Sequence, residues 1–306
     1  MDQSGLNFNP PTGVVQELEP GLRRIVAQNP SPMTFRGTNT YLLGTQNIAV
    51  IDPGPDDASQ KKAILSALQN GQKITSILVT HSHIDHSPLA GRLATETGAK
   101  IYAFGPTGSG QSQIMADLIS SGYNGGGEGS DYHFCPDVGL SDGTKIDVSD
   151  EPLQVIHTPG HFGNHLCFVW KDSVFSGDHV MGWASTLVSP PDGDLGDFLN
   201  SCRKLQSRKW RIFYPGHGAP IEKPNQRLEW LIDHRLGRES QILKNLQKAP
   251  NTPKGLAEAI YTDTPSSLIG AAARNVFAHL IELHSRKLLI CDGPPRFEKL
   301  YRFNKI

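Results

Sequence analysis

LVTHSHIDHS, residues 78–87, carries His81, His83, Asp85 and His86 within six positions, directly after an apolar run. SILVT (76–80) reads as a strand, so the histidines lie on the loop that leaves its end. Such a loop turns the alternate side chains His81 and His83 toward one point. The adjacent Asp85 and His86 then reach a second point beside it. Imidazole and carboxylate suit zinc, iron or manganese, and the absence of a nearby thiolate argues against copper or iron–sulfur chemistry.

Further candidates occur at later strand ends. TPGHFGNH (158–165) supplies His161 and His165, SGDHVMG (176–182) supplies Asp178 and His179, and YPGHG (214–218) supplies His217. Each sits beside glycine, where a tight backbone lets a side chain point into a shared cleft. Asp52, in IDPG (51–54), also ends a strand. Together these residues offer three ligands for each of two metals and one carboxylate to bridge them.

Outward from this loop, the first two thirds of the chain alternate strands with helices. TYLLG (40–44), IAVID (48–52), KIYAF (100–104), LQVIH (153–157), LCFVW (166–170), SVFSG (173–177) and RIFYPG (211–216) read as strands. Helical spacing appears over 58–69, after the histidine loop at Leu89, Leu93 and Ala94, and over 195–206, where Leu195, Phe198, Leu199 and Cys202 form the apolar stripe. That alternation predicts a layered α/β architecture. The glycine-rich stretch 105–132 reads as a surface insertion or lid near a cleft, with a short helical segment at Ile114–Leu118. Its GPTGSGQSQ lacks the GK[ST] ending of a phosphate-binding loop.

At Pro224 the texture changes. A long helical stretch follows, with Leu228, Leu231, Leu236 and Leu243 as buried candidates. Thr252-Pro253 caps a second helix, a third covers roughly 266–284, and KLLIC with FEKLYRF forms a hairpin across Asp292-Gly293. Three helices and a hairpin is the order of a winged helix, which predicts two domains, 1–223 and 224–306.

The chain has 306 residues, 37% hydrophobic and 19% charged, which excludes a disordered tail or a supercharged binder. It has no run of 18 apolar residues, and therefore no membrane partner is expected. The first residues show no basic-then-apolar signal, and four dispersed cysteines form no CxxC pair, so a reducing cytoplasm is the expected location. The formal net charge of -1 hides an asymmetry: residues 201–306 carry 19 Lys and Arg against nine Asp and Glu, whereas residues 1–200 carry 10 against 21. A basic C-terminal third suits an anionic substrate or partner, or docking within one molecule or a homodimer.

The dispersed motifs resemble those of the metallo-β-lactamase superfamily of hydrolases: His-x-His-x-Asp-His, the His of PGH, Gly-Asp and a last strand-end His. The resemblance implies a four-layer αββα sandwich, α+β in class, with a dinuclear site at one edge and here a C-terminal winged-helix-like domain. Residue by residue it makes His81, His83 and His161 the ligands of one metal, and Asp85, His86 and His217 those of the other. Asp178 takes the bridging place and Asp52 orders the histidine loop. The surrounding text, NPSPMTFRGTNTYLLG and YPGHGAPI, is similar to the β-lactamase-like protein 2 group, which includes a mitochondrial single-strand endoribonuclease.

The resemblance implies two divalent cations, zinc first and iron or manganese as alternatives, and hydrolysis by a metal-bound hydroxide. Asp178 would fix the pair, and Asp85 would act as ligand and proton shuttle. His179 departs from the minimal pattern and is expected near the leaving group or behind Asp178, with His165 as a supporting residue. The substrate is open between single-stranded RNA and a small anionic ester or thioester, the latter as in glyoxalase II. A β-lactam hydrolase and a non-catalytic scaffold or nucleic-acid-binding protein are the alternatives, the first disfavoured by the plain N-terminus.

Overall fold

The computed structural model describes residues 7–123, 125, 129–147 and 152–304. Two sheets face each other. The first runs β1 (Gln16–Glu19), β2 (Leu22–Val26), β3 (Asn39–Leu43), β4 (Asn47–Ile51), β5 (Lys73–Leu78), β6 (Lys100–Ala103) and β7 (Val138–Gly139) in that spatial order. It is antiparallel as far as β4 and parallel from there on. The second sheet holds β8 (Lys145–Ile146), β9 (Leu153–His157), β10 (Leu166–Trp170), β11 (Ser173–Gly177) and β12 (Ile212–Pro215), in the order β12-β11-β10-β9-β8. β3, β10 and β11 are buried at all five positions, as continuous apolar runs require when both faces of a strand are covered.

Three apolar cores make the four layers. Tyr41, Ile51, Leu78, Val155, Phe168 and Phe175 pack between the sheets. Ile64 of α1 (Ala58–Ser66) and Leu89 and Leu93 of α2 (Leu89–Thr97) cover the outer face of the first sheet. Phe198 and Cys202 of α4 (Leu195–Gln206) cover the second. Local chemistry sets the helix starts: Asp57 accepts from the Gln60 amide at 2.9 Å and Asp194 from the Asp197 amide at 3.0 Å, each satisfying an otherwise orphaned donor of the first turn.

The C-terminal helical domain has its own core. It is formed by the end of α5 (Pro224–Lys248), α6 (Pro253–Ile260), α7 (Ile269–Ser285) and the short hairpin of β13 (Leu289–Ile290) with β14 (Arg302–Phe303). Thr252 caps α6 through the Gly255 amide, with Pro253 in the first turn, as the sequence predicts. The helix α5 serves both bodies. Leu228 and Leu231 pack with α4, whereas Ile242 and Leu246 lie in the C-terminal core.

Two expectations need correction. Leu236 is 41% exposed, because the buried stripe of α5 passes through Arg227, Leu228, Leu231 and Arg235 and leaves Leu236 to one side. The glycine-rich segment is not simply a lid. Its helix α3 (Gln113–Ser120) buries Met115 and Leu118 in the C-terminal core, so it braces that domain against the sandwich. Part of its second glycine cluster, Asn124 and residues 126–128, lies outside the described residues. The N-terminal hairpin β1–β2 also escaped the sequence reading, since its LRRIV strand places two arginines among the apolar residues.

Candidate metal centre

The ends of β4, β5, β11 and β12 converge at one edge of the sandwich, and the loops that leave β5, β9, β11 and β12 bring two groups of ligand atoms together. His81, His83, His161 and Asp178 form one group; Asp85, His86 and His217 form the other, with ligand atoms in each within 4.8 Å of one another. Asp178 reaches both. Its Oδ2 lies 3.8 Å from His161 Nε2 and 3.3 Å from His217 Nε2, and its Oδ1 lies 3.5 Å from His86 Nε2. Asp85 Oδ2 is 3.1 Å from His217 Nε2 and 3.2 Å from His86 Nε2. These are the two sites expected from the histidine loop, and they make the arrangement consistent with a dinuclear metal hydrolase.

Hydrogen bonds behind the rings fix which nitrogen faces the centre. His161 Nδ1 donates to the Leu187 carbonyl at 2.7 Å, and His217 Nδ1 donates to the Gly37 carbonyl at 3.2 Å. His86 Nδ1 donates to Asp52 Oδ2 at 2.9 Å. The Thr80 hydroxyl gives its proton to Asp52 Oδ2 at 2.8 Å, so its 3.0 Å contact with His81 Nδ1 is one in which the imidazole donates. All four rings therefore turn Nε2 inward. His83 turns Nδ1 inward, 2.8 Å from His81 Nε2 and 3.1 Å from His161 Nε2. Asp178 Oδ1 is buried without a hydrogen-bond donor among the described residues. Converging bare nitrogens around an unsatisfied carboxylate oxygen are a donor set that fits divalent cations.

Asp52 holds a left-handed backbone, φ 50°, and accepts the Thr80 amide at 2.7 Å as well as the Thr80 hydroxyl and His86. It thus ties β4 to the start of the histidine loop, the role anticipated for it. Gly216 is required for a different reason: a Cβ there would lie 2.4 Å from Asp178 Oδ1 and 2.7 Å from His86 Cε1. Only glycine lets the end of β12 pass so closely under the centre.

The two groups differ in charge preference. Burial, with His86 and His83 beside it, holds His81 well below its ordinary pKa. Burial and His161 bring His83 down to about 3, and burial also lowers His161. In the second group burial also opposes charge, but the carboxylates outweigh it. Asp85 and Asp178 raise His86 well above its ordinary value, and Asp178 and Asp85 raise His217 to about 10.

His179 does not join either group. It is fully buried, its ring packs on Phe198 at 4.7 Å, and its Nε2 lies 3.5 Å from Cys202 Sγ on α4. The expectation of a place near a leaving group is corrected: the residue after Asp178 points to the opposite side of the chain, into the core. His165 is also buried, its Nδ1 on the Thr158 hydroxyl at 2.9 Å and its ring 5.1 Å from that of His81, so it packs behind the histidines.

Sequence reasoning missed what holds the loop after Asp178. Arg227 Nε donates to the Met181 carbonyl at 2.8 Å and its Nη2 to the Ala184 carbonyl at 2.7 Å. Arg235, also on α5, donates to the Thr186 carbonyl and, at 2.9 Å, to Asn275 Oδ1 of α7, which itself accepts the Val188 amide at 3.0 Å. The C-terminal helices thereby hold the segment whose Leu187 carbonyl orients His161. The spacing of Arg227, Leu231 and Arg235 along one helix face was the available signal.

The mouth of the centre has an aromatic wall. Trp183 stacks on Phe35 at 4.9 Å, and Phe35 on Phe8 at 6.3 Å, with the Arg36 guanidinium over Phe35 at 5.1 Å. Trp183 also abuts Gly218, next to His217: a Cβ on that glycine would lie 2.7 Å from Trp183 Cδ1. Tyr214, at the end of β12, is buried between Tyr41 and Phe175 and bonds to Glu19.

Comparison with known proteins agrees with this geometry. The family model described as Metallo-beta-lactamase superfamily matches residues 33–217, and one described as Beta-lactamase associated winged helix domain matches residues 252–289. A Beta-lactamase-like protein 2 homolog from Drosophila melanogaster is 31% identical over 280 residues, covering 88% of this chain and 89% of its own. An Atrochrysone carboxyl ACP thioesterase from Aspergillus fumigatus is 32% identical over 264 residues, covering 84% and 75%. Among solved structures, a beta-lactamase domain protein from Burkholderia ambifaria superposes with a TM-score of 0.79 at 19% identity, over 97% of this chain and 96% of its own. A metallo-beta-lactamase family protein from Thermus thermophilus gives 0.74 at 25% identity, over 94% and 100%.

Proposed function

The chain belongs to the metallo-β-lactamase superfamily, and from that premise we propose that it is a hydrolase of esters or thioesters that works with two divalent cations. The observation that carries this reading is the set of inward-facing Nε2 atoms gathered around Asp178. His81, His83 and His161 would hold one cation, Asp85, His86 and His217 the other, and Asp178 would span the two. The imidazole-rich donor set favours zinc. When bound, such a pair supplies Lewis-acid chemistry, activating water at neutral pH and polarising the bond under attack.

The chain's own residues do the rest. The carbonyls of Leu187 and Gly37 and the carboxylate of Asp52 keep His161, His217 and His86 in the tautomer that leaves Nε2 bare. Asp85, its side chain one-fifth exposed, is the ligand carboxylate most open to solvent and the group placed to relay a proton toward the leaving group. The Phe35–Trp183 stack offers an apolar wall to an acyl group. The similarity to the thioesterase named above supports the same substrate class.

Cleavage of single-stranded RNA is the second reading, favoured by the formal +10 of residues 201–306. Several of those cations are already committed: Arg211 to Glu19 and Asp172, Arg286 to Glu239, Arg302 to Asp292, and Arg235 inside the protein. The boundary at 223/224 belongs to this proposal too, with 1–223 as the catalytic body. The test is turnover of an acyl thioester and of a labelled single-stranded RNA by zinc-loaded protein, beside Asp178→Ala. Thioester turnover that vanishes in the variant is the expected result. RNA cleavage lost in the variant, without thioester turnover, would replace it with the second reading.

A further inference from the structure

A cavity of about 660 Å³ lies between the edge of the second sheet and the start of α5, and its Trp183 and Ala219 end comes within two residues of His217. Its size is that of a small-molecule site. Leu18, Ile212, Ile221, Trp183 and Trp230 line its sheet side and ends, and Glu222, Lys223, Gln226 and Arg227 give the start of α5 a polar rim. Trp183 is common to cavity and centre: one side of its environment is the stack on Phe35, another is Gly218 beside His217. Its Nε1 is buried with no hydrogen-bond acceptor among the described residues. The opposite wall is rigid, because the Arg227 guanidinium lies 4.1 Å over the Trp230 ring and is anchored to the carbonyls of Met181 and Ala184.

We propose that this cavity is the subsite for the acyl group of the substrate, taking an extended apolar or aromatic chain whose carbonyl lies at the metal centre. The proposal rests on the ester or thioester reading above. Chemistry selects the occupant. The wall nearest His217 is Trp183 and the walls along the sheet are Leu18, Ile212 and Ile221, a continuous apolar surface that an extended chain can follow. An acyl chain needs only such a surface, and each methylene buried there tightens binding. Occupancy has its own optical signature, since two of the chain's four tryptophans line the cavity.

The test uses the full chain in two arms. Zinc-loaded protein is assayed with acetyl and decanoyl thioesters of N-acetylcysteamine, and decanoate is titrated against tryptophan fluorescence without turnover. Two variants accompany the wild type: Trp183→Ala, which removes the shared wall, and Leu18→Trp, which fills the cavity from β1 at a position distant in sequence from every candidate ligand. The expected result is a kcat/KM at least tenfold higher for decanoyl than for acetyl, a ratio that falls tenfold or more in both variants. Decanoate quenches the wild-type fluorescence, and Leu18→Trp binds it at least tenfold more weakly. Equal rates for both thioesters with no effect of decanoate on fluorescence would overturn the subsite while leaving the thioesterase reading intact. Decanoate binding that Leu18→Trp abolishes, in a protein that hydrolyses neither thioester, would keep the cavity as an acyl site and overturn that reading instead.

Discussion

His86 and His217 are oriented by the first sheet, through Asp52 at the end of β4 and the Gly37 carbonyl just before β3. His161 is oriented by the Leu187 carbonyl, on a segment that α5 and α7 hold through Arg227, Arg235 and Asn275. Both ligand groups are built mainly of imidazoles, yet one is oriented by the sandwich alone and the other includes His161, whose orientation depends on the C-terminal helices. The difference gives that domain a task within the chain itself. It braces the loop between Asp178 and α4, and through it one half of the centre.

The largest effect should come where the halves meet. Asp178→Ala removes the carboxylate that reaches both groups, so turnover should drop to background and bound metal should fall below two per chain by elemental analysis. Retention of two metals with full activity would break the account of a shared ligand.

Next, Asp52→Ala should separate the halves. Loss of the partner that orients a ligand histidine typically costs 10–100-fold in metal affinity, and the loss should be larger on the His86 side, which Asp52 touches directly, than on the His81 side, which it reaches through Thr80. Isothermal titration of the metal-free variant should show one tight and one weakened site. Equal weakening of both would mean that Asp52 supports the loop as a whole.

Arg235→Ala probes the other half. It leaves the Thr186 carbonyl without its buried side-chain donor and Asn275 Oδ1 with the Val188 amide alone, and opens a cavity, a cost of about 2–4 kcal/mol in stability. Chemical denaturation measures that cost, and titration should place the weakened metal on the His161 side. Arg235→Lys restores charge but not the two-pronged geometry, so it should recover only part of both.

The smallest effect concerns the joint between the bodies. Burial, with Asp194 and Glu282 nearby, raises Asp197 on α4 to about 6. A raised folded-state pKa means that the folded protein binds the extra proton, so this stabilisation is complete below about pH 4 and is lost as pH rises through about 6. Asp197 is half exposed, which screens the effect to below about 1 kcal/mol. Asp197→Asn should flatten stability against pH over that window, as followed by thermal melts from pH 4 to 7. An unchanged slope would remove Asp197 from the joint.

The same contrast explains what could be read in advance. The anchor of His86 was legible because it is itself a motif residue, Asp52 at the end of an apolar strand in IDPG, whereas the Gly37 carbonyl behind His217 was not. Strands such as LQVIH, LCFVW and SVFSG were legible because fully buried strands are continuous apolar runs bounded by turns. The anchors of His161 were not, because they are backbone carbonyls and two arginines on a helix that reads as an ordinary charged surface. His179 misled for a related reason. Adjacent residues at a strand end point to opposite sides, so the neighbour of a ligand such as Asp178 is as often core as cleft.

The most direct test of the central claim is the anomalous scattering map of zinc-loaded crystals recorded at the metal's absorption edge. The account predicts two peaks, one among His81, His83 and His161 and one among Asp85, His86 and His217, with Asp178 between them. A single peak at full loading, or peaks away from these side chains, would contradict it.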